Sequence, residues 1–190
     1  MKKDLGVMPA VFPMPVLMVA AYDENDHVNV MNAGWGQMAS ADQIVLFISE
    51  GHRTVKNIRK TGAFTVSVAD RKHMKEADYS GIASGNQIPD KFERTGLHAY
   101  ESEYVHAPVI QEFPLVMECE LEDIVDTSIH AVVGRIVNVS AEESVLGRNG
   151  KVDPAKLDAL LVDTFQNGYY TIGDKVGQAF HEGIDLLEKQ

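Results

Sequence analysis

Apolar residues occur in short runs separated by turn residues, a pattern typical of β-strands. Residues 16–22 and 27–31 flank the turn sequence Asp23-Glu24-Asn25-Asp26 and predict a hairpin. Further apolar or alternating runs predict strands at residues 44–49, 64–69, 115–125 and 130–139.

Helical signals are fewer and shorter. Four segments predict helices: residues 54–60, stopped by Gly62; residues 71–79; residues 90–96, with a C-terminal glycine; and residues 153–162, with Pro154 at the first helical position. Many strands, few helices and no regular βαβ alternation predict a mainly β protein, an antiparallel barrel or sandwich with helices at its rim.

Length and charge narrow the possible functions. The 190 residues, 45% of them hydrophobic, predict a single domain spanning residues 1–190. A net charge of −11 argues against a nucleic-acid or anionic-membrane partner, although it permits a local basic pocket. The apolar residues 7–22 follow two lysines, as in a signal peptide, but Asp4 and three prolines fit that interpretation poorly. No run of eighteen apolar residues could span a bilayer, and we expect a cytoplasmic protein.

The single cysteine, Cys119, excludes an intrachain disulfide. It lies in a segment that alternates apolar and acidic residues, so a buried core thiol is favoured over a nucleophile. The acidic residues Glu118, Glu120 and Glu122 are expected on the opposite, solvated strand face, with an acid/base pair as the alternative.

The most informative chemistry lies at residues 30–40 and 51–54. Arg53 and Thr54 open a helix, where Thr54 is expected to cap free backbone N–H groups and Arg53 adds a planar cation, so a phosphate is attracted. Gly34 and Gly36 are expected to let a flat ligand approach the backbone, with Trp35 as an aromatic wall. The alternatives are a solvated surface charge for Arg53 and a barrel-core side chain for Trp35.

Residues 34–39 also fit the dinucleotide-binding pattern G-x-G-x-x-[GA]. That pattern must open a long crossover helix, yet only four residues separate it from the next β-rich run. The sequence therefore indicates a nucleotide-like cofactor without a Rossmann fold.

An ordered series of motifs covers nearly the whole chain: Asn32-Ala33-Gly34-Trp35-Gly36-Gln37-Met38-Ala39-Ser40, Arg53-Thr54, Thr61-Gly62-Ala63-Phe64, Asp78-Tyr79-Ser80-Gly81, Ser84-Gly85, Asp90-Lys91-Phe92, Thr95-Gly96-Leu97, Ala107-Pro108 and Gly134-Arg135-Ile136-Val137. In order and spacing this series resembles the flavin reductase-like FMN-binding split-barrel family, of the flavoredoxin and NAD(P)H:flavin oxidoreductase type.

The resemblance implies an antiparallel, Greek-key split β-barrel, usually a homodimer, with FMN in a groove near the subunit interface. It places the isoalloxazine ring beside residues 32–37 and the phosphate on Arg53 and Thr54, with Lys91 as a second cation. The implied cofactor-binding residues are Asn32, Ala33, Gly34, Trp35, Gly36, Gln37, Ser49, Arg53, Thr54, Lys91, His130, Phe165 and Asn167.

His130 is the one candidate that could assist the chemistry, since the family often carries a histidine near the flavin where this strand begins. Here its spacing to Gly134 is one residue shorter than the family pattern, and a one-residue shift turns a strand side chain to the opposite face. For residues 165–170, core or dimer packing is the alternative to flavin contact. The histidines show no metal-ligand spacing, so no metal is expected.

Two functions remain open at this stage. The first is an FMN-dependent oxidoreductase that takes a hydride from NADH or NADPH and passes electrons to an acceptor. The second is an FMN electron carrier that exchanges electrons with a redox protein partner and reacts poorly with nicotinamides. A cofactor-free or haem-binding split barrel is a third class, in which Arg53, Thr54 and Lys91 would have no phosphate to hold.

Overall fold

A computed structural model describes residues 1–187. Within that range the strands are β1 Met14–Pro15, β2 Leu17–Tyr22, β3 Val28–Ala33, β4 Gly36–Met38, β5 Gln43–Leu46, β6 Ala63–Val68, β7 Ala99–Glu101, β8 Pro108–Ile110, β9 Leu115–Asp126, β10 His130–Ala141, β11 Leu160–Val162 and β12 Tyr169–Thr171. The α-helices are α1 Arg53–Thr61, α2 Met74–Ile82 and α3 Pro154–Leu157, and short 3₁₀ turns cover Glu93–Thr95, Glu143–Val145 and Ile184–Leu186.

Seven strands form one antiparallel sheet in the order β3-β2-β6-β9-β10-β5-β4. The sheet curls into a half-barrel around a core that includes Val19, Leu46, Phe64 and Val132. Two small sheets, β1-β11-β12 and β7-β8, lie beside it. The prediction of a mainly β, antiparallel fold with peripheral helices is confirmed.

Gly134 shows how tightly this core is packed. A Cβ atom built there would lie 2.3 Å from Cζ of Phe64, a distance that forbids any side chain. The close approach of Phe64 to β10 therefore requires glycine at position 134. Core packing thus explains the first residue of the Gly134-Arg135-Ile136-Val137 motif.

The long hairpin of β9 and β10 corrects one prediction. Cys119 is buried as expected, and burial raises the pKa of its thiol to about 12. Glu118 is also buried, contrary to the expected solvated face, because the β7–β8 hairpin covers that part of the sheet. Its carboxylate accepts hydrogen bonds from Ser102 Oγ, from Asn138 Nδ2 at 2.8 Å and from Ser140 Oγ at 2.8 Å.

Helices α1 and α2 follow the signals at residues 54–60 and 71–79, although α2 begins three residues later than predicted, and the helix predicted for residues 90–96 is limited to the 3₁₀ turn Glu93–Thr95. Helix α1 ends at Thr61, and Gly62 then takes a left-handed conformation with φ 74°. The helix predicted for residues 153–162 is wrong beyond Leu157, because Asp158 turns left-handed and Leu160–Val162 pair as a strand with β1 and β12. Strand pairing overrides the helical signal there. No helix within residues 1–187 has the length and apolarity to cross a membrane.

Candidate functional site

The start of helix α1 differs from its prediction in one detail. His52 occupies the N-cap position without a side-chain cap, and Thr54 lies one residue inside the helix. The Thr54 hydroxyl is buried and accepts a hydrogen bond of 2.6 Å from Asn29 Nδ2 on β3. The prediction that Thr54 caps the helix is therefore wrong, and its hydroxyl proton remains available to an acceptor in the adjoining cavity.

Arg53 lies beside Thr54 and is about one-third exposed. Its Nη2 donates to Asp23 Oδ2 at 3.2 Å, so the turn of the first hairpin holds the guanidinium at the mouth of the cavity. Burial opposes ionisation of Asp23, but N–H groups of Asn25 and His27 and the Arg53 guanidinium lower the net pKa of this carboxyl. One contact of this kind leaves other guanidinium N–H groups available for a ligand.

Lys91 is the least expected feature of the site, because its side chain is only 2% exposed. Its Nζ donates to the carbonyl oxygens of Ser80 at 3.0 Å and Ala83 at 2.7 Å, near the C-terminus of α2. Within residues 1–187 it has no carboxylate partner, and burial lowers its pKa to about 8. An ammonium group has three donors, so one is left over for an anion.

These groups meet around one cavity of about 200 Å³, here called the anion pocket. Gly85 forms part of its wall, and a Cβ there would lie 2.4 Å from Asn29 Oδ1 and 3.1 Å from Arg53 Cβ, so only glycine fits. The lining consists of Met31, Asn32, His52, Arg53, Thr54, Ser80, Gly81, Ile82, Ala83, Ser84, Gly85 and Lys91.

Asn32 closes the pocket on the side of β3. Its Nδ2 donates to the carbonyl oxygen of Ala77 at 3.2 Å, which leaves its Oδ1 as a possible acceptor for a ligand. Tyr169 on β12 lies beside it and donates its hydroxyl to Asp78 Oδ1 at 2.8 Å. Burial, and then Asp78, raise the pKa of Tyr169 to about 12, so this hydroxyl remains a donor at neutral pH.

A second cavity, of about 220 Å³, lies beside the turn that follows β3. It is called the apolar groove, and its lining consists of Pro9, Ala10, Val11, Met14, Trp35, Gly36, Gln37, Phe47 and Thr164. Trp35 and Phe47 are about half exposed there, so Trp35 is not a core residue. A Cβ at Gly36 would lie 2.7 Å from Leu17 Cδ1 and 2.8 Å from Leu46 Cδ2, so packing explains this glycine.

The structure thus brings some candidate residues together and leaves others apart. Asn32, Arg53, Thr54 and Lys91 line the anion pocket, and Trp35, Gly36 and Gln37 line the apolar groove. Six candidates line neither cavity: Ala33, Gly34, Ser49, His130, Phe165 and Asn167. Ala33 and Gly34 lie in the sequence between Asn32, which lines the anion pocket, and Trp35, which lines the apolar groove.

His130 lies at the start of β10, where its Nδ1 contacts Asp126 Oδ1 at 2.5 Å and its side chain is about half exposed. Phe165 follows Asp163, whose carboxylate accepts N–H groups of Phe165, Gln166 and Gly168 at 2.6 to 2.8 Å. The Gln166 N–H lowers the pKa of Asp163 most, so this turn is held by a charged acceptor.

Asn29 and Asp23 support the site but were not candidates from the sequence, whereas Tyr169 belongs to the segment 165–170, for which flavin contact was one of the two interpretations. Asn29 is a buried polar residue in the middle of an apolar strand, which is a signal that could have been used. Asp23 carries no comparable local signal, because its partner Arg53 lies 30 residues away along the chain.

The curled antiparallel half-barrel, with a cavity between β3, α1 and α2 that is lined by Arg53 and Lys91, is the architecture of a split-barrel protein. The family model of the flavin reductase like domain matches residues 8–169. The chain therefore belongs to the flavin reductase-like family.

Solved structures agree with this assignment. Flavoredoxin of Desulfovibrio vulgaris (Miyazaki F) is 32% identical, with a TM-score of 0.91 over 96% of this chain and 100% of that one. Flavoredoxin from Methanosarcina acetivorans is 28% identical, with a TM-score of 0.86 over 98% of both chains. An FMN-binding domain of a flavin reductases-like enzyme from Shewanella baltica OS155, 18% identical with a TM-score of 0.75 over 86% of this chain and 88% of that one, shares the fold.

Proposed function

We propose that this chain binds FMN, with the phosphate in the anion pocket and the isoalloxazine ring beside residues 32–37. The observation that carries the proposal is Lys91, a buried ammonium group with no carboxylate partner within residues 1–187. A buried charge is costly unless it is paired, and a phosphate would supply the missing anion. Arg53 and the Thr54 hydroxyl face the same cavity, as a phosphate site requires.

The size of the anion pocket supports a cofactor site that is divided between this pocket and the apolar groove. About 200 Å³ is below the roughly 300–1,000 Å³ typical of whole-ligand pockets, so the anion pocket suits the phosphate end of the cofactor. Asn32 lines that pocket, and Trp35, which lines the apolar groove, lies three residues further on, at the bend between β3 and β4. A ligand with a phosphate at one end and a flat ring at the other fits this arrangement.

The proposed activity is that of an oxidoreductase in which a nicotinamide nucleotide, NADH or NADPH, reduces the bound flavin. FMN supplies a hydride acceptor at N5 and passes electrons singly or in pairs. The protein holds the phosphate through Lys91 and Arg53, and it offers the Asn32 Oδ1 to a ligand N–H or O–H group. Ser49, His130, Phe165 and Asn167 remain family-based candidates for cofactor contacts, from this protomer or from a partner in a homodimer. A cytoplasmic location remains a prediction from the sequence.

A second candidate is an FMN electron carrier that serves a redox protein partner. It is favoured by the two flavoredoxins, which are 32% and 28% identical over almost the whole chain. This function uses the same pocket but does not require a nicotinamide to reach the ring.

One set of measurements tests both candidates. The protein as purified should show a flavin absorption spectrum and release FMN, not FAD, on denaturation. A colourless protein whose thermal midpoint does not rise with added FMN would contradict FMN binding, since a ligand that binds only the native state must stabilise it. Anaerobic stopped-flow absorbance with NADH and NADPH then separates the candidates. Fast bleaching supports the oxidoreductase, whereas reduction by dithionite alone supports the carrier.

A further inference from the structure

Asn29 is a buried polar residue of β3 that does not itself line the anion pocket. It is 7% exposed, and strand alternation places it on the same face as Met31 and Ala33, which both belong to the core of the half-barrel. A buried amide is costly unless it forms hydrogen bonds. Within residues 1–187 its side chain forms one, to the hydroxyl group of Thr54 on α1, so this contact is what the polar side chain provides.

The direction of this hydrogen bond determines where the Thr54 hydroxyl proton can point. The Asn29 amide nitrogen can only donate, and it lies 2.6 Å from Thr54 Oγ1, so the hydroxyl oxygen is the acceptor. At the other end of α1, Thr61 donates its hydroxyl to the carbonyl oxygen of Asn57 at 3.2 Å, the usual bond of a helical threonine. Thr54 donates to no acceptor within residues 1–187, and it lines the anion pocket. Its proton is therefore free for an acceptor in that pocket.

Gly85 holds the other side of the Asn29 amide. A Cβ atom at Gly85 would lie 2.4 Å from Asn29 Oδ1, so the amide oxygen is packed against the backbone of the pocket wall. The same Cβ would lie 3.1 Å from Arg53 Cβ. The amide is thus enclosed between Thr54 and Gly85, and it has little room to turn away from the hydroxyl group.

We propose that Asn29 is a positioning residue of the anion pocket, which makes the Thr54 hydroxyl a preorganised donor to a phosphate. The inference rests on the proposed function, because it takes the FMN phosphate as the acceptor. A hydroxyl that already accepts a hydrogen bond is polarised and becomes a stronger donor. Its proton also needs no reorientation when the ligand arrives, which lowers the cost of binding. Asn29 would then favour a phosphorylated flavin over riboflavin through Thr54.

A double-mutant cycle on Asn29 and Thr54 tests this role. The measured quantity is the ratio of FMN affinity to riboflavin affinity, obtained by titration calorimetry of the flavin-free protein. Thr54→Val should lower the ratio by about tenfold or more, because a hydrogen bond to a charged group is lost. Asn29→Leu should lower it by about threefold or more, because the hydroxyl regains its three rotamers and loses its polarisation. The double variant should match Thr54→Val alone, since Asn29 acts only through the hydroxyl.

Two further variants separate this role from packing. Asn57→Leu is the matched control: Asn57 is a buried asparagine of α1, 4% exposed, that does not line the anion pocket and whose Nδ2 has no partner within residues 1–187. It should leave the affinity ratio unchanged. Asn29→Asp keeps the shape of the side chain, but its carboxylate accepts the Thr54 proton and repels a phosphate. It should lower the ratio by more than Asn29→Leu does.

The outcomes distinguish this inference from the proposed function. A wild-type ratio near one would contradict the phosphate site itself. A high wild-type ratio that neither Asn29→Leu nor Asn29→Asp changes would overturn the positioning role and leave the phosphate site intact. Additive losses in the double variant would also overturn it, because Asn29 would then act independently of Thr54. An increased ratio in Asn29→Leu would mean that the amide oxygen takes the Thr54 proton, the opposite of the proposal.

Discussion

Lys91 and Glu118 are both buried, at 2% and 3% exposure, yet they lie in different kinds of surroundings. Both oxygens of the Glu118 carboxylate accept hydrogen bonds from side chains of the β7–β8 hairpin loop and β10, and the network is closed within the protein. Lys91 has two carbonyl partners, a third donor and a cavity beside it. The first arrangement joins parts of the fold, whereas the second leaves one Lys91 donor beside a cavity with no carboxylate partner within residues 1–187.

The comparison shows why burial alone does not identify a functional charge. A buried charge whose partners are all internal contributes to the specificity and stability of the fold. A buried charge that lacks a counter-ion and faces a cavity implies an external counter-ion. The two regions should therefore respond in opposite ways to mutation, one in ligand affinity and the other in the free energy of unfolding.

The largest effect is expected for Lys91→Met. FMN affinity should fall by about 3–5 kcal/mol, because the phosphate would be left in a buried site without its closest cation. Titration calorimetry measures the loss, and riboflavin, which lacks the phosphate, is the control ligand. A similar loss for both ligands would place Lys91 in packing of the α2 terminus.

Arg53→Ala should have the next largest effect. FMN affinity should fall by about 1.5–3 kcal/mol if the guanidinium donates charged hydrogen bonds to the phosphate, and riboflavin affinity should change little. Arg59→Ala is the matched control, since Arg59 lies on the same helix but pairs with Glu50 at 3.1 Å on the surface. Equal effects of the two substitutions would indicate a general charge effect.

Glu118→Gln tests the other side of the comparison. The free energy of unfolding should fall by about 1–3 kcal/mol, because an amide NH₂ would replace an oxygen that now accepts hydrogen bonds. FMN affinity, measured below the unfolding transition, should remain at the wild-type value. A selective loss of FMN binding with unchanged stability would show that Glu118 belongs to the ligand site.

The smallest expected effect is a pH dependence. Burial lowers the Lys91 pKa to about 8 in the free protein, whereas a bound phosphate would raise it again. FMN binding above pH 8 must then take up a proton, so affinity should decrease by about fivefold between pH 8 and 9 and approach a tenfold decrease per pH unit above pH 9. Lys91→Met should remove this slope, and riboflavin should not show it. An unchanged slope in the variant would assign the titration to another group.

The sequence predicted the parts of the fold that depend on local signals. The first hairpin has its turn at residues 23–26, and Gly62 ends α1 with positive φ, as the residue types indicate. The burial of Glu118 could not be read from alternation, because the β7–β8 hairpin that covers it is distant in sequence. The end of α3 at Leu157 could not be predicted for the same reason. Strand β11 pairs with β1, which places Val162 opposite Met14, a residue far away in the sequence.

The site was predictable to a similar extent. Arg53, Thr54 and Asn32 line one pocket, whereas the family resemblance implied Asn32 beside the ring and the other two residues at the phosphate. The environment of Lys91 was not predictable, because its burial depends on the carbonyl groups that end α2, eight and eleven residues before it. The bond from Asn29 to Thr54 likewise joins two elements that no local pattern connects.

Titration calorimetry of FMN and riboflavin into the flavin-free wild-type protein tests the central claim most directly. If the anion pocket holds the phosphate, FMN should bind at least about 100-fold more tightly than riboflavin, the effect of two or more charged hydrogen bonds. Equal affinities for the two ligands would contradict the account, because Lys91 and Arg53 would then contribute nothing to cofactor binding.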